Sequence, residues 1–183
     1  MTEKPIPELL SALKSKDDEE RYGSFEILLG LSEENPAALY PHWDFLAEML
    51  DAKNAYWKMI AVRLLANLVA ADSENRFEKI FDKYYDLLGD SVIIAGHVTA
   101  NSGKIARAKP ELQAAITDRL LNIDKTTQKH KDLIKSGAIE SFGEYFAGSK
   151  DKEKILAFVR QQLKGESPKT RKIAREFLEK WEN

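Results

Sequence analysis

The residue types most able to do chemistry lie in one stretch, AGHVTANSGKIARAKPEL at 95–112. It combines a histidine, two hydroxyls, an asparagine and a glycine–lysine pair, the ingredients of a phosphate loop or a general-base site. A phosphate loop needs G-x-x-x-x-G-K-[ST] after a strand, so that backbone amides and a lysine surround the phosphate and a hydroxyl reaches magnesium. Here six residues separate Gly96 from Gly103, Ile105 stands where the hydroxyl is needed, and no strand pattern precedes. His97 and Asn101 are four apart, so they share a helical face, with Ser102 beside them. Buried polar groups cost about 1–3 kcal/mol unless paired. The three residues therefore predict an internal hydrogen-bond network between helices or a polar pocket for a ligand or peptide backbone. The carboxylates of DDEE at 17–20 suit a helix's first turn, where they complement the dipole. The three histidines, His42, His97 and His130, form no HExxH or comparable spacing, and no G-x-S-x-G elbow is present. No catalytic, metal or cofactor site is expected.

The elements that must position these residues are helices. The chain has 183 residues and no cysteine, which excludes disulfides, thiolate catalysis and cysteine-held metal. A single domain is the default at this length. The opening MTEKPIPELL lacks the order of a signal peptide, and no apolar run reaches the roughly 20 residues needed to span a bilayer. A soluble, cytoplasmic protein is expected. The formal charge of −2 weighs against general nucleic-acid affinity, but it is unevenly spread. Residues 1–103 balance at −8 and residues 104–183 at +6, a polarity that could orient a partner or favour head-to-tail contacts.

Segments such as YWKMIAVRLLANLVA and TRKIAREFLEKW carry the 3.6-residue period, and period-2 alternation is absent. Breaks at SKDDEE, EENP, DAKN, ADSEN, LGD, AKP, GSKD and GESP leave about ten helices. These pair, and the second members superimpose: DDEERYGSFEILLGL, NAYWKMIAVRLLANL, SVIIAGHVTANSGKI, KDLIKSGAIESFGEY and SPKTRKIAREFLEKW. A recurring basic position holds Arg21, Lys58, Lys135 and Arg171, with Ala95 in the third copy, at steps of 37, 37, 40 and 36. Four residues earlier stand Asp17, Asn54, Ser91 and Ser167, each able to cap a helix start. The fourth copy has Lys131 there, so its helix is expected to begin earlier, near Asp124 or Thr126. Three, seven and ten positions after the basic residue, small or apolar side chains share the face that packs inward. First helices follow the same logic, with Pro36 and Pro110 at starts where a missing N–H costs nothing.

NPAALYPHWDFLAEML as a first helix, and SPKTRKIAREFLEKW and GHVTANSGKIA as second helices, resemble the HEAT-repeat family of armadillo-like α-solenoids. The resemblance covers almost the whole chain and implies an all-α, right-handed α-solenoid of about five helix pairs. They fall at approximately 5–35, 36–72, 73–108, 109–148 and 151–183, in one domain over 1–183. The family often places an Asp six residues before the basic position, building a ladder of Asp–Arg contacts. Here those positions are Ser15, Ala52, Gly89, Lys129 and Gly165, so that ladder is missing its acids.

The resemblance also implies an interaction scaffold. In a solenoid the second helices line the concave surface, the usual binding face. Offsets 1, 5 and 8 from the basic position point roughly away from the core stripe, and in repeats one to three they are too apolar for a freely solvated face, Glu26 and Arg63 being the charged members. A concave groove lined by Tyr22, Met59, Arg63, Ala66, Ala100, Lys104 and Glu140 is therefore expected to take a partner helix or peptide without chemistry. Two rival readings follow. HEAT-like folds include alkylpurine DNA glycosylases, which need a basic concave surface, and a HEAT-like lyase or cofactor-assembly factor is related. The basic excess here sits C-terminally, in KTTQKHKDLIK and SPKTRKIAR. The other is a homodimer through repeat five, if the face carrying Phe177, Leu178 and Trp181 is uncovered.

Overall fold

The computed structural model describes residues 4–182, and among them every regular element is a helix. α1 (Ile6–Ala12) pairs with α2 (Asp18–Glu34). α3 (Pro36–Leu39) and α4 (Trp43–Glu48) make one broken first helix, interrupted by a 3₁₀ turn at Tyr40–His42, and α5 (Ala55–Leu68) follows. Pro41 explains the break, since it cannot donate to the preceding turn. The remaining pairs are α6 (Arg76–Asp86) with α7 (Val92–Ala108), α8 (Gln113–Leu121) with α9 (Lys131–Tyr145), and α10 (Lys152–Gln162) with α11 (Pro168–Trp181). The chain divides into two compact units, Met1–Ile80 and Phe81–Asn183, with the boundary inside α6.

Four second helices begin where a capping side chain predicts. Asp17 accepts from the Glu20 amide at 2.9 Å, Asn54 from Tyr56 at 2.8 Å, Ser91 from Ile94 at 3.4 Å and Ser167 from Thr170 at 3.2 Å. The α9 start departs from the sequence expectation. It begins at Lys131 with no side-chain cap, not near Asp124 or Thr126. Ile123–Lys125 closes a 3₁₀ turn, after which Thr126 turns extended and the Gln128 side chain accepts from the His130 amide at 3.0 Å. Gln128 thus ties the loop that the sequence pattern reads as helix.

The inward stripe follows the repeat alignment at offsets three and seven, while at offset ten Leu68, Ile105 and Tyr145 are buried and Leu31 and Trp181 only half-buried. Ser24, Ala61, Val98, Ala138 and Ala174 are all buried, as are Leu28, Leu65, Ser102, Phe142 and Leu178 one turn later. In the first unit α2 packs on α1, α3 and α5, around Phe25, Leu28, Trp43, Ile60 and Leu64. In the second unit α7, α9 and α11 stack side by side in sequence order, and α8 packs on α10. Partners there rise together in number, Gly89 with Thr127 and Gly103 with Ser141, so α7 and α9 run parallel. This in-order stacking of paired helices is the all-α solenoid arrangement.

The basic positions solve the missing-acid problem with backbone. Arg21 Nη1 donates to the Ser15 carbonyl at 2.9 Å, and Arg171 Nη1 to the Gly165 and Glu166 carbonyls at 2.8 Å each. Ser15 and Gly165 are the very positions, six residues earlier, that lack an Asp. Each guanidinium closes the loop entering its own helix. Lys135 instead is buried and pairs with Asp124 at 2.8 Å and Asp132 at 3.3 Å.

Candidate functional site

α7, which carries the opening histidine segment, lies close against α9 at two glycines. A side-chain carbon on Gly103 would stand 2.8 Å from the Ser141 carbonyl oxygen, and one on Gly137 would stand 2.5 Å from Thr99 Oγ1 and 3.1 Å from the Ala100 amide. The glycines let the α7 and α9 backbones meet. The Ser141 hydroxyl then spans one turn of α7, accepting from the Gly103 amide at 2.8 Å and donating to the Thr99 carbonyl at 2.5 Å. Gly103 and Thr99 are the donor and acceptor of a single helical turn, so Ser141 reads the α7 backbone directly.

The three polar residues of that segment divide. Ser102 is buried; its hydroxyl donates to the Val98 carbonyl at 2.8 Å and accepts from Tyr85 Oη at 3.2 Å. Burial raises the Tyr85 pKa, and the hydrogen bond to Ser102 opposes it. Asn101 Nδ2 turns back to the His97 carbonyl at 2.8 Å. Both Asn101 and His97 are half-buried, on the same side of α7.

The expected groove residues also divide. In the first unit Tyr22 is 58% exposed, while Met59 and Arg63 are half-buried, the Arg63 guanidinium lying 5.1 Å from the Phe25 ring centre. In the second unit Ala100 and Glu140 are exposed and Lys104 is half-buried. Ala66 is 1% exposed, and Gly103, at the same offset of 8, is buried too. That offset was expected to face outward. For Gly103 the reason is plain: a second helix has lateral neighbours as well as a first-helix partner, and α9 occupies that side. Ala66 therefore offers no surface to a partner.

Besides Tyr22, the sequence pattern does not single out the side chains that stand exposed. Among the described residues the large apolar side chains on the surface are Tyr22, Ile27, Ile93, Leu133 and Leu163. All but Leu163 belong to second helices. Ile27 falls six residues after Arg21, an offset at which Leu64, Ser141 and Phe177 are buried, which is why periodicity assigns it to the core. The first twelve residues of α7, VIIAGHVTANSG, contain no Lys, Arg, Asp or Glu. Ile93 and Ala100 on that segment are exposed, and Gly96 has nothing within 4 Å of where a side-chain carbon would stand. Lys104 and Arg107 follow, Arg107 pairing with Glu144 at 3.0 Å.

Other polar clusters are structural. Asp72 accepts from the amides of Arg76 and Phe77 at 2.9 Å each and from Tyr40 Oη at 2.7 Å, capping α6. Burial, then Asp72, pushes the Tyr40 pKa up to about 12. A cleft of about 640 Å³ lined by Tyr85, Asp118, Asn122 and Thr127 is crossed by Arg119, which pairs with Asp82 and Asp86. Asp132 joins α9 to the loop before α11, accepting from the Glu166 amide at 2.6 Å while its carbonyl accepts from Thr170 at 2.5 Å. That amide, and then Lys135, hold its carboxyl below the ordinary carboxylate range. The face carrying Phe177, Leu178 and Trp181 is covered in part from within: Phe177 and Leu178 are buried, Trp181 is half-buried, and the Phe146 ring centre lies 5.1 Å from those of both Phe177 and Trp181. Among the described residues no group of three His, Cys, Asp or Glu could hold a metal ion, and no helix is long and apolar enough to cross a membrane.

This is an α-helical repeat protein, an all-α solenoid. A crystal structure of an engineered protein is similar in fold, with a TM-score of 0.57 at 17% identity over 95% of this chain and 78% of that one. A second engineered protein matches at TM-score 0.49 and 15% identity over 96% and 98% of the two chains. A designed armadillo repeat protein matches at 0.39 and 15% over 96% and 99%. No family model matches the chain, and no curated protein does.

Proposed function

We propose that this chain is a HEAT-like, armadillo-like scaffold that binds a protein segment, a helix or extended peptide, on its second helices and makes or breaks no bond. One observation carries the reading: the large apolar side chains left on the surface concentrate on second helices, with Tyr22 and Ile27 on α2, Ile93 on α7 and Leu133 on α9. A contiguous exposed apolar patch marks an interaction surface, and second helices that pack side by side, as α7 and α9 do, can bring such side chains together. Tyr22, Met59 and Arg63 supply the first unit's contacts, and Ala100, Lys104 and Glu140 the second's. His97 and Asn101 are the polar groups that would meet a partner's backbone.

The DNA-binding alternative draws on the C-terminal basic excess. Part of that charge already serves the protein itself, since Arg171 is turned onto two backbone carbonyls and Lys135 onto Asp124 and Asp132. The testing experiment is affinity capture from the native cell with wild type and the Tyr22→Glu/Met59→Glu double variant. Loss of the captured partner by a folded double variant supports the assignment. Undiminished capture removes it, and salt-sensitive retention on DNA would restore the alternative.

A further inference from the structure

The outer face of α2 is built unlike that of a helix meant only for water. Tyr22 and Ile27 are 58% and 56% exposed, and Gly23 and Gly30 have nothing within 4 Å of where a side-chain carbon would stand. Gly23, Ile27 and Gly30 lie at spacings of four and three, one line along the helix. The same register in repeat four is Gly137, Ser141 and Glu144. There Gly137 presses on Thr99 and Ala100 of α7, Ser141 spans the α7 backbone, and Glu144 pairs with Arg107 of α7. In α9 this line is thus a seat for a neighbouring helix. In α2 the same line is open among the described residues.

Charge says what kind of helix fits. Residues 17–35 hold seven carboxylates and one arginine. Arg21 is tied to Asp18 and to the Ser15 carbonyl, and Glu20 to Lys4. Asp18, Glu19 and Glu20 suit the helix start, but Glu33 and Glu34 sit in the last turn, at the negative end of the dipole, with no basic residue there. Glu26 adds a further exposed carboxylate beside Ile27. Three features therefore disfavour α2 in isolation: interior glycines touching nothing, exposed Tyr22 and Ile27, and glutamates at the wrong end. A single occupant relieves all three.

We infer that the outer face of α2 docks an amphipathic helix with small apolar side chains on its contact side and lysine or arginine on its flanks. The glycines admit close approach, Tyr22 and Ile27 bracket the apolar stripe, and Glu19, Glu26, Glu33 and Glu34 meet the basic flanks. This face shares Tyr22 with the surface of the proposed function but includes neither Met59 nor Arg63 of α5, so Met59→Glu tells the two readings apart.

The test uses the full chain and an 18-residue synthetic peptide with Ala and Leu on one helical stripe and Lys elsewhere, followed by fluorescence anisotropy. Two peptides serve as controls, one with Glu replacing Lys and one with the same charge but two central prolines. The basic helical peptide should bind with a Kd of about 10–100 μM at low salt, weakening as salt rises, and each control at least about tenfold more weakly. Gly23→Gln/Gly30→Gln should raise the Tm by about 2–8 °C, because Gln is the better helix former in open space, yet weaken binding about tenfold or more. Ile27→Asp should weaken binding similarly, and Met59→Glu should leave it unchanged. No binding of the basic helical peptide, equal binding of the proline control, or unchanged affinity of the glycine double variant would each overturn the inference. So would sedimentation showing a dimer that Ile27→Asp dissolves, since a second copy would then be the occupant.

Discussion

Gly96 and Gly103 stand two turns apart on α7, and an alanine should have opposite effects at the two sites. Within a helix, Gly→Ala gains about 0.5–1 kcal/mol from reduced backbone entropy wherever the methyl has room. At Gly96 nothing lies within 4 Å of the new carbon, so the full gain is expected. At Gly103 the carbon would stand 2.8 Å from the Ser141 carbonyl and 2.7 Å from the Glu144 carboxyl. Glu144 can swing away, but the carbonyl belongs to α9's backbone and moves only if the two helices part by several tenths of an ångström. Overpacking of this kind costs about 1–3 kcal/mol. Separation would also stretch the Gly103–Ser141 and Ser141–Thr99 hydrogen bonds, worth about 0.5–1.5 kcal/mol each. After subtracting the helical gain, Gly103→Ala should destabilise by about 1–4 kcal/mol. At about 2–4 °C per kcal/mol for a chain of this size, calorimetry should show Tm rising by about 1–4 °C for Gly96→Ala and falling by about 2–16 °C for Gly103→Ala. If both shifts share a sign, or Gly103→Ala lies within error of wild type, the close α7–α9 approach is wrong.

Asp132→Asn should cost about 1.5–3 kcal/mol at neutral pH, because the contacts to the Glu166 amide and Lys135 lose the carboxylate's charge and one of its two acceptor oxygens. The folded carboxyl pKa is lowered, so this stabilisation is complete above the unfolded value near about 3.9 and disappears as pH falls through the folded value. Urea midpoints of wild type and variant should therefore converge only in strong acid; a gap that is flat with pH would exclude a charged role. Arg171→Lys should lose about 1 kcal/mol or more, since a strongly hydrated ammonium lacks the rigid planar group whose Nη1 donates to both the Gly165 and Glu166 carbonyls, and a chemical-denaturation midpoint equal to wild type would show those bonds to be idle. One domain over 1–183 predicts a single calorimetric transition; two resolved transitions would mean that the units Met1–Ile80 and Phe81–Asn183 fold independently.

The fold was largely legible because helix pairing leaves local marks. Caps at Asp17, Asn54, Ser91 and Ser167 act within three residues of the side chain, and the buried positions three and seven after the basic residue follow from helical period alone. What periodicity cannot supply is the lateral direction, the side on which the next repeat's helix arrives. Hence the outward offset of 8 fails at Gly103, which α9 covers, and at Ala66, which is buried, and the period does not single out Ile27, which is exposed. The Ser141 bridge and the turn of Arg21 and Arg171 onto carbonyls depend on backbone acceptors, which carry no residue identity. The late start of α9 has a similar origin, since only the fold reveals that the Gln128 side chain satisfies the His130 amide.

The central claim is that partners are met by second helices. Hydrogen exchange of the chain with and without its captured partner tests it most directly. Added protection confined to α2, α5, α7 and α9, with α4, α8 and α10 unchanged, is the predicted result. Protection falling instead on α4, α8 and α10 would contradict it.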